Sequence, residues 1–176
     1  MDFGTVFALV SGFLDEKGYR YAVIGAVAIA AYGLPRTTVD LDLVVEASAQ
    51  DDLIGFLESR GYETLHRSSG YSNHRHKDPD WGSLDFVYVG AETSHELFAA
   101  VQLREGLRGS LMPLPKPEHL AALKVLAMKN DPSRTLQDMA DIRFLVNLPG
   151  VDRKEIRSYF DRHGMKDWFD ELEKTS

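Results

Sequence analysis

The feature that most constrains this chain is an apolar run that carries two aspartates, VDLDLVV at residues 39–45. Acidic and apolar residues alternate in it, which is typical of a β-strand with one buried face. Successive side chains leave a strand on opposite faces, so Asp40 and Asp42 are predicted on one face and Val39, Leu41 and Leu43 on the other. Two adjacent carboxylates repel each other, and burying them unpaired is costly. The strand is therefore predicted to present both carboxylates to a ligand that offsets the repulsion.

A divalent cation is such a ligand, because Mg²⁺ binds oxygen atoms and needs few carboxylates when substrate phosphates and waters complete its shell. A third carboxylate is expected from a neighbouring strand. Asp85 is the only acidic residue of the apolar stretch SLDFVYV, residues 83–89. Asp40, Asp42 and Asp85 are predicted to hold Mg²⁺ or Mn²⁺ and to be catalytic in a two-metal phosphoryl-transfer site. A solvated strand face or a turn is the alternative for an isolated D-x-D.

The residues before this strand suggest phosphate binding. Gly25 and Ala26 lie where an apolar strand, YAVIG, meets an alanine-rich helix, AVAIAAYG, and free backbone N–H groups at such a junction can hold phosphate. Arg36 either clamps phosphate or pairs with nearby carboxylates, and the clamp is favoured. Thr38 completes the predicted nucleotide-binding set, although threonine also simply suits the start of a strand.

The stretch VIGAVAIAAYGLPRTTVDLDLVV resembles the signature of the DNA polymerase β-like nucleotidyltransferase superfamily. That signature has a hydrophobic residue, Gly-Gly or Gly-Ser, a spacer, D-x-D between hydrophobic residues, and later a third aspartate. The R-x-T-x-D-x-D form at residues 36–42 is most similar to the AbiEii-type branch, which includes toxins of toxin–antitoxin and phage-defence systems. The resemblance covers roughly residues 21–145. Ala26 departs from the pattern, because alanine keeps the backbone N–H but lacks the serine hydroxyl.

The resemblance implies a fold and an activity. The fold would be α/β (α+β), the nucleotidyltransferase fold, with a mixed sheet flanked by helices and a C-terminal helical segment. The enzyme would move a nucleoside monophosphate from a nucleoside triphosphate such as ATP to an acceptor hydroxyl, such as that of a tRNA or another RNA. As a toxin it would also have a cognate antitoxin protein as a partner.

Charged residues in the C-terminal helices are further candidates. Lys124 projects from an apolar helix face, where it either snorkels to solvent or, as the resemblance implies, binds the triphosphate and assists catalysis. Asp138 and Asp141 share one side of the next helix. Asp138 either pairs with Arg134 one turn earlier or acts in the active site, as an aspartate of this helix does in the AbiEii-type branch. The sequence does not decide which of the two aspartates would act.

Composition narrows the class of protein. The chain has 176 residues, of which 44% are hydrophobic and 27% charged, as in an ordinary globular protein. We divide it into an α/β core at residues 1–115 and a helical segment at residues 116–176.

A net charge of −7 argues against nonspecific coating of nucleic acid, but leaves room for a local basic patch at residues 67–77. No apolar run reaches the roughly 20 residues that span a bilayer, so no membrane partner is expected. The absence of cysteine favours a cytoplasmic location.

The predicted order of elements is α-β-α-β-α-β-β-β, followed mostly by helix. One predicted helix covers SHELFAAVQL at residues 94–103, followed by a short extended stretch at residues 110–114. Two helices with a strong sequence signal follow, and then two shorter helices, separated at Gly164, complete the chain. His74 and His76 alternate in a predicted strand or hairpin, and we interpret them as part of a basic, substrate-facing or solvated strand rather than as zinc ligands.

Two alternatives stay open. The first is a catalytically degenerate protein of the same fold that binds a nucleotide or a partner protein; Ala26 favours it, and the complete set of three carboxylates opposes it. The second is a nucleotidyltransferase for a small molecule such as an antibiotic, and no residue of the sequence selects that acceptor.

Overall fold

The computed structural model describes residues 1–174, with the side chains of all of these except Ala91 and Arg108. Residues 175 and 176 of the predicted helical segment lie outside the described part. The α-helices are Phe3–Lys17 (α1), Gly25–Ala31 (α2), Gln50–Ser59 (α3), Ala91–Ala99 (α4), Pro117–Asn130 (α5), Thr135–Val146 (α6), Arg153–Arg162 (α7) and Lys166–Lys174 (α8). The β-strands are Tyr21–Val23 (β1), Asp40–Glu46 (β2), Tyr62–Arg67 (β3), Tyr71–His76 (β4), Ser83–Val89 (β5), Gln102–Glu105 (β6) and Leu111–Leu114 (β7).

The chain forms two compact units. The N-terminal unit, Met1–Leu114, contains α1 to α4 and all seven strands, and the C-terminal unit begins at Pro115 and contains α5 to α8. The mixed α/β class that the sequence predicts is confirmed. Within residues 1–174, no helix is long and apolar enough to cross a bilayer.

The main sheet of the N-terminal unit has the strand order β1-β2-β5-β4-β3. The strands β2 and β5 run parallel and the other neighbours antiparallel, so the sheet is mixed, as predicted. One face of the central strands is fully buried, at Leu41, Leu43, Leu84 and Phe86. The aspartates of β2 therefore leave by the opposite face, as the alternation predicts. Val39 precedes β2 and is 76% exposed, so its assignment to the buried face is wrong.

A hairpin replaces the end of a predicted helix. The sequence predicts helix through residue 103, but α4 ends at Ala99 and the chain continues into β6. Each residue of β6 pairs with one of β7, from Gln102 opposite Leu114 to Glu105 opposite Leu111. This pairing satisfies the backbone groups that a longer helix would have satisfied internally, so tertiary context overrides the local helical pattern. The extended stretch predicted at residues 110–114 is confirmed as β7.

The C-terminal unit has helix boundaries that its sequence explains. Pro117 is the first residue of α5, where its fixed φ suits a helix and its missing N–H is not needed. The carboxylate of Asp131 accepts a hydrogen bond from the backbone N–H of Ser133 at 3.0 Å and opens the short turn that leads into α6. The break predicted at Gly164 is confirmed between α7 and α8, where Gly164 has a φ of +69°.

Candidate metal centre

Three carboxylates meet on one face of the parallel pair β2 and β5, opposite the fully buried face. Asp42 lies directly opposite Asp85 in this pair, and Asp40 lies two residues before Asp42 on the same face. Each of the three offers one oxygen atom, and these oxygens all lie within 4.8 Å of one another. All three residues are half-buried. The structure thus brings together the three carboxylates that the sequence singles out as metal ligands.

The chemistry of this cluster suits a hard divalent cation. Two unit charges at this separation repel by at least about 3 kcal/mol at an effective dielectric constant of about 20. Two of the carboxylates accept hydrogen bonds from neutral donors. The Thr38 hydroxyl donates to Oδ1 of Asp40, and the Asn73 amide donates to Oδ1 of Asp85. These donors orient the carboxylates without adding positive charge. A set of half-buried carboxylate oxygens is what Mg²⁺ or Mn²⁺ prefers, so the residues present fit such an ion.

Glycine is required where β1 meets α2. Gly25 has a φ of +63°, which L side chains rarely adopt, and a Cβ built on it would lie 1.9 Å from Oδ2 of Asp42. The backbone N–H of Ile24 also donates to the carbonyl oxygen of Asp42 at 2.9 Å. The predicted phosphate-binding junction therefore lies directly against the middle aspartate. The helix that follows has seven residues and ends at Ala31, two residues earlier than the predicted helix at residues 26–33.

A pocket of about 600 Å³ opens beside the carboxylates, within the N-terminal unit. One side of α2 forms its apolar wall, and Thr38 connects it to the metal centre because the same residue bonds to Asp40. Three of the predicted nucleotide-binding residues line this one pocket: Ala26, Arg36 and Thr38. The complete lining is Phe3, Ala26, Val27, Ala30, Ala31, Arg36, Thr37, Thr38, Glu105, Gly106 and Leu107.

Lys124, Asp138 and Asp141 form a buried ion cluster within the C-terminal unit. The Nζ atom of Lys124 lies 3.0 Å from Oδ1 of Asp138 and 2.5 Å from Oδ2 of Asp141. The Lys124 side chain is 8% exposed, so the snorkelling interpretation is wrong. Arg134 approaches Asp138 from solvent at 3.4 Å, which is the pairing that the sequence allowed. Both aspartates thus share one ammonium, and an action of the cluster on a nucleotide stays a prediction.

His74 differs from its predicted character. It is fully buried, and its Nε2 and Nδ1 atoms lie 2.8 Å from the Ser72 hydroxyl and 3.1 Å from the Thr64 hydroxyl. Burial lowers its pKa from 6.5 to about 4, against a weaker opposing effect of Glu58. The ring is therefore neutral near pH 7. The interpretation of a basic or solvated strand is wrong for this residue, because alternation alone does not tell which face of a strand is buried.

Asn73 is a site residue that sequence reasoning missed. It lies on β4 opposite Asp85, between Ser72 and His74. The signal that could have identified it is its alternation with these two buried neighbours, which sends Asn73 to the face of the aspartates. That signal needs the strand order, because Asn73 becomes a neighbour of Asp85 through pairing of β4 with β5.

Neither a protein-family model nor a curated protein sequence matches this chain. Among solved structures, the antibiotic-resistance factor ANT(2'')-Ia matches with a TM-score of 0.68 at 15% identity, over 99% of this chain and 98% of that one. A nucleotidyltransferase-like protein from Paracoccidioides brasiliensis matches with a TM-score of 0.57 at 17% identity, over 98% and 92%. The lincomycin-bound lincosamide antibiotic adenylyltransferase LnuA matches with a TM-score of 0.55 at 15% identity, over 81% and 96%. At these identities the likeness is one of fold, and it confirms the predicted nucleotidyltransferase fold.

Proposed function

We propose that this chain is a metal-dependent nucleotidyltransferase of the polymerase β-like superfamily. It would move a nucleoside monophosphate from a nucleoside triphosphate to an acceptor hydroxyl and release pyrophosphate. The observation that carries this proposal is the convergence of Asp40, Asp42 and Asp85 on adjacent strands of a nucleotidyltransferase fold. The same convergence argues against a degenerate binding protein, since nothing in mere nucleotide binding requires three repelling carboxylates.

The roles of the residues follow from their positions. Asp40, Asp42 and Asp85 would hold Mg²⁺ or Mn²⁺, which when bound stabilises charge on the phosphate and favours ionisation of the acceptor hydroxyl. Gly25 allows the main chain to lie against Asp42, so that the backbone at residues 25 and 26 is close to the metal ligands. Arg36, which lines the adjacent pocket, would bind a phosphate group through its planar guanidinium.

The cluster in the C-terminal unit has two competing explanations. Lys124 would bind the triphosphate and Asp138 would act in the active site, as the resemblance to the AbiEii-type branch implies. Their buried ion pair at 3.0 Å is the structural alternative, because each then serves mainly to neutralise the other. Asp141, at 2.5 Å from the same ammonium, supports the structural alternative.

A small hydroxylated molecule is the acceptor that the structure favours. The pocket of about 600 Å³ beside the carboxylates is within the range of about 300–1,000 Å³ that small-molecule sites occupy. A net charge of −7 disfavours a polyanionic acceptor such as tRNA. Two of the fold neighbours were solved with an antibiotic or its adenylylated product: LnuA with lincomycin and ANT(2'')-Ia with adenylyl-2''-tobramycin. An RNA acceptor, with the chain acting as a toxin against an antitoxin partner, is the second candidate. The lack of cysteine agrees with action in the cytoplasm.

Label transfer tests the proposal directly. The protein is incubated with each α-labelled nucleoside triphosphate, with Mg²⁺ or Mn²⁺, and separately with total RNA and with panels of aminoglycosides and lincosamides. We expect label on a small molecule, no transfer by Asp42→Asn, and normal transfer by the control Asp161→Asn, which changes an exposed aspartate on α7. Label on RNA would replace the small-molecule acceptor with the second candidate. A protein that binds the triphosphate in the presence of metal but labels no acceptor would favour the degenerate binding protein.

Filling the pocket tests the nature of the acceptor site. Ala30 lines the pocket and is half-buried, so leucine there would occupy part of its volume. We expect Ala30→Leu to raise the KM for the small acceptor at least about tenfold, a loss of about 1.4 kcal/mol of binding, and to lower triphosphate affinity less, because the proposed phosphate contact is made by Arg36, another residue of the lining. Ala47→Leu, at an exposed position outside the pocket, is the control. If triphosphate affinity falls by the larger factor instead, the pocket holds the nucleotide.

A further inference from the structure

Asn73 extends the row of metal-centre residues by one strand. Asp42 on β2 is in register with Asp85 on β5, and Asp85 is in register with Asn73 on β4. These three side chains lie side by side across three adjacent strands, and all three are half-buried. The Nδ2 atom of Asn73 donates a hydrogen bond to Oδ1 of Asp85. Asn73, at the end of this row, is therefore a neutral donor and adds no charge to those of the three aspartates.

The opposite face of β4 is buried on both sides of Asn73. Its two chain neighbours, Ser72 and His74, are fully buried and point away from the aspartates. Ser72 lies 2.8 Å from His74 and 2.7 Å from the Tyr88 hydroxyl, and His74 lies 3.1 Å from Thr64. Because its two neighbours are buried on one face of β4, the alternation of the strand places the Asn73 side chain on the other face, with the aspartates.

We propose that Asn73 is a positioning residue of the metal centre: its amide holds one oxygen of Asp85 so that the other oxygen is directed to the cation. This inference rests on the proposed metal-dependent function. Thr38 acts on Asp40 in the same manner, through a hydroxyl bonded to Oδ1. The carboxylates of Asp40 and Asp85 are therefore oriented before the metal binds.

The choice of an amide has a physical reason. A lysine or arginine at position 73 would also bind Asp85, but its charge would satisfy the carboxylate and compete with the cation. An apolar residue would remove this hydrogen bond, so metal binding would have to supply more of the ordering of the carboxylate. A neutral donor orients the ligand and leaves its charge available, and loss of such a partner typically lowers metal affinity about 10–100-fold.

Metal titration of matched variants tests this role. Mn²⁺ binding is measured by calorimetry on the wild-type protein, Asn73→Leu, Ser72→Ala and Asp42→Asn, together with melting temperatures in metal-free buffer. Leucine has nearly the shape of asparagine but no donor. Ser72→Ala disturbs the buried hydrogen bonds of β4 without removing the donor to Asp85. We expect Asn73→Leu to weaken Mn²⁺ binding at least about tenfold, and Ser72→Ala to lower the melting temperature without changing Mn²⁺ affinity.

A second readout separates positioning from a merely structural role. At saturating Mn²⁺, the kcat of Asn73→Leu is expected to return close to that of the wild type, because excess metal compensates for a loosely held ligand. A structural defect would not be rescued by metal. If the wild type binds Mn²⁺, Asp42→Asn does not, and Asn73→Leu binds as tightly as the wild type, the role of Asn73 is overturned while the metal centre stands. If the wild type does not bind Mn²⁺, both proposals fail.

Discussion

The carboxylate of Asp42 lies in the space that a Cβ atom on Gly25 would occupy, with Oδ2 of Asp42 1.9 Å from that position. The two residues are on different elements, the strand–helix junction and the acidic strand, and their contact joins the predicted phosphate-binding segment to the metal ligands. Because Gly25 also has a φ of +63°, both its backbone conformation and its lack of a side chain are needed at this point.

Gly25→Ala is predicted to displace the Asp42 carboxylate and to weaken Mn²⁺ binding at least about tenfold, as expected when a metal ligand is moved. The left-handed backbone conformation should also cost about 1–2 kcal/mol of folding stability. Calorimetric titration with Mn²⁺ and urea unfolding of the same samples measure the two effects separately.

Gly55→Ala is the matched control, because Gly55 is inside α3 and a Cβ there would meet no atom within 4 Å. It should leave Mn²⁺ affinity unchanged and stabilise the fold by about 0.5–1 kcal/mol. Undiminished Mn²⁺ binding by Gly25→Ala would show that Asp42 can move without loss, and would contradict the importance of this contact.

Asp42→Ala is predicted to reduce label transfer by several orders of magnitude, because a proposed ligand of the metal is lost. In metal-free buffer its melting temperature should equal or exceed that of the wild type, since one of three mutually repelling carboxylates has been removed. Thermal melting without metal and transfer assays with Mg²⁺ are run on the same preparation. A variant that unfolds would mean that Asp42 is held by internal hydrogen bonds, and the metal-site interpretation would be wrong.

The buried cluster around Lys124 gives a prediction that separates its two explanations. Lys124→Met leaves Asp138 and Asp141, each 1% exposed, without their shared ammonium. Removal of one partner of a buried ion pair typically costs about 3–5 kcal/mol, so we expect a loss of this size in urea unfolding.

The triple variant Lys124→Met, Asp138→Asn, Asp141→Asn should recover most of that stability, because the two buried carboxylate charges that the ammonium offset are then removed as well. Its affinity for the triphosphate decides the function of the lysine. Affinity that stays low in a stable triple variant supports triphosphate binding by Lys124. Affinity that returns with stability would show that the lysine is purely structural.

The sequence predicts on which face of a strand a residue lies, because this depends on local alternation. It does not predict contacts between residues of different strands, because these depend on the strand order. Asp40, Asp42 and Asp85 could be placed on one face because each alternates with apolar neighbours in its own strand. Asn73 could not, because its contact with Asp85 requires the pairing of β4 with β5. The first two residues of β6 fall within the helix predicted at residues 94–103, because the pairing partner β7 follows several residues later and contributes nothing to the local pattern.

The buried ion cluster of the C-terminal unit also depends on contacts between elements, which the sequence alone does not predict. Helical spacing correctly placed Asp138 and Asp141 on one side of their helix, but the ammonium between them comes from a different helix. The burial of that lysine followed from the packing of α5 with α6, which no single-helix pattern contains.

The buried imidazole of His74 is predicted to make folding stability depend on pH. Burial lowers its pKa to about 4, whereas in the unfolded chain the pKa is near the ordinary value of 6.5. Below about pH 6.5, His74 is protonated in the unfolded chain but stays neutral in the folded protein. Stability should therefore fall as the pH falls from about 6.5 to about 4, by at most about 3 kcal/mol from this group. His74→Gln removes the titration, so its stability difference from the wild type should shrink between about pH 7.5 and about pH 4.5. Urea unfolding at both pH values measures this, with the exposed His66→Gln as the control. A difference that is the same at both pH values would show that His74 does not titrate in this range on unfolding.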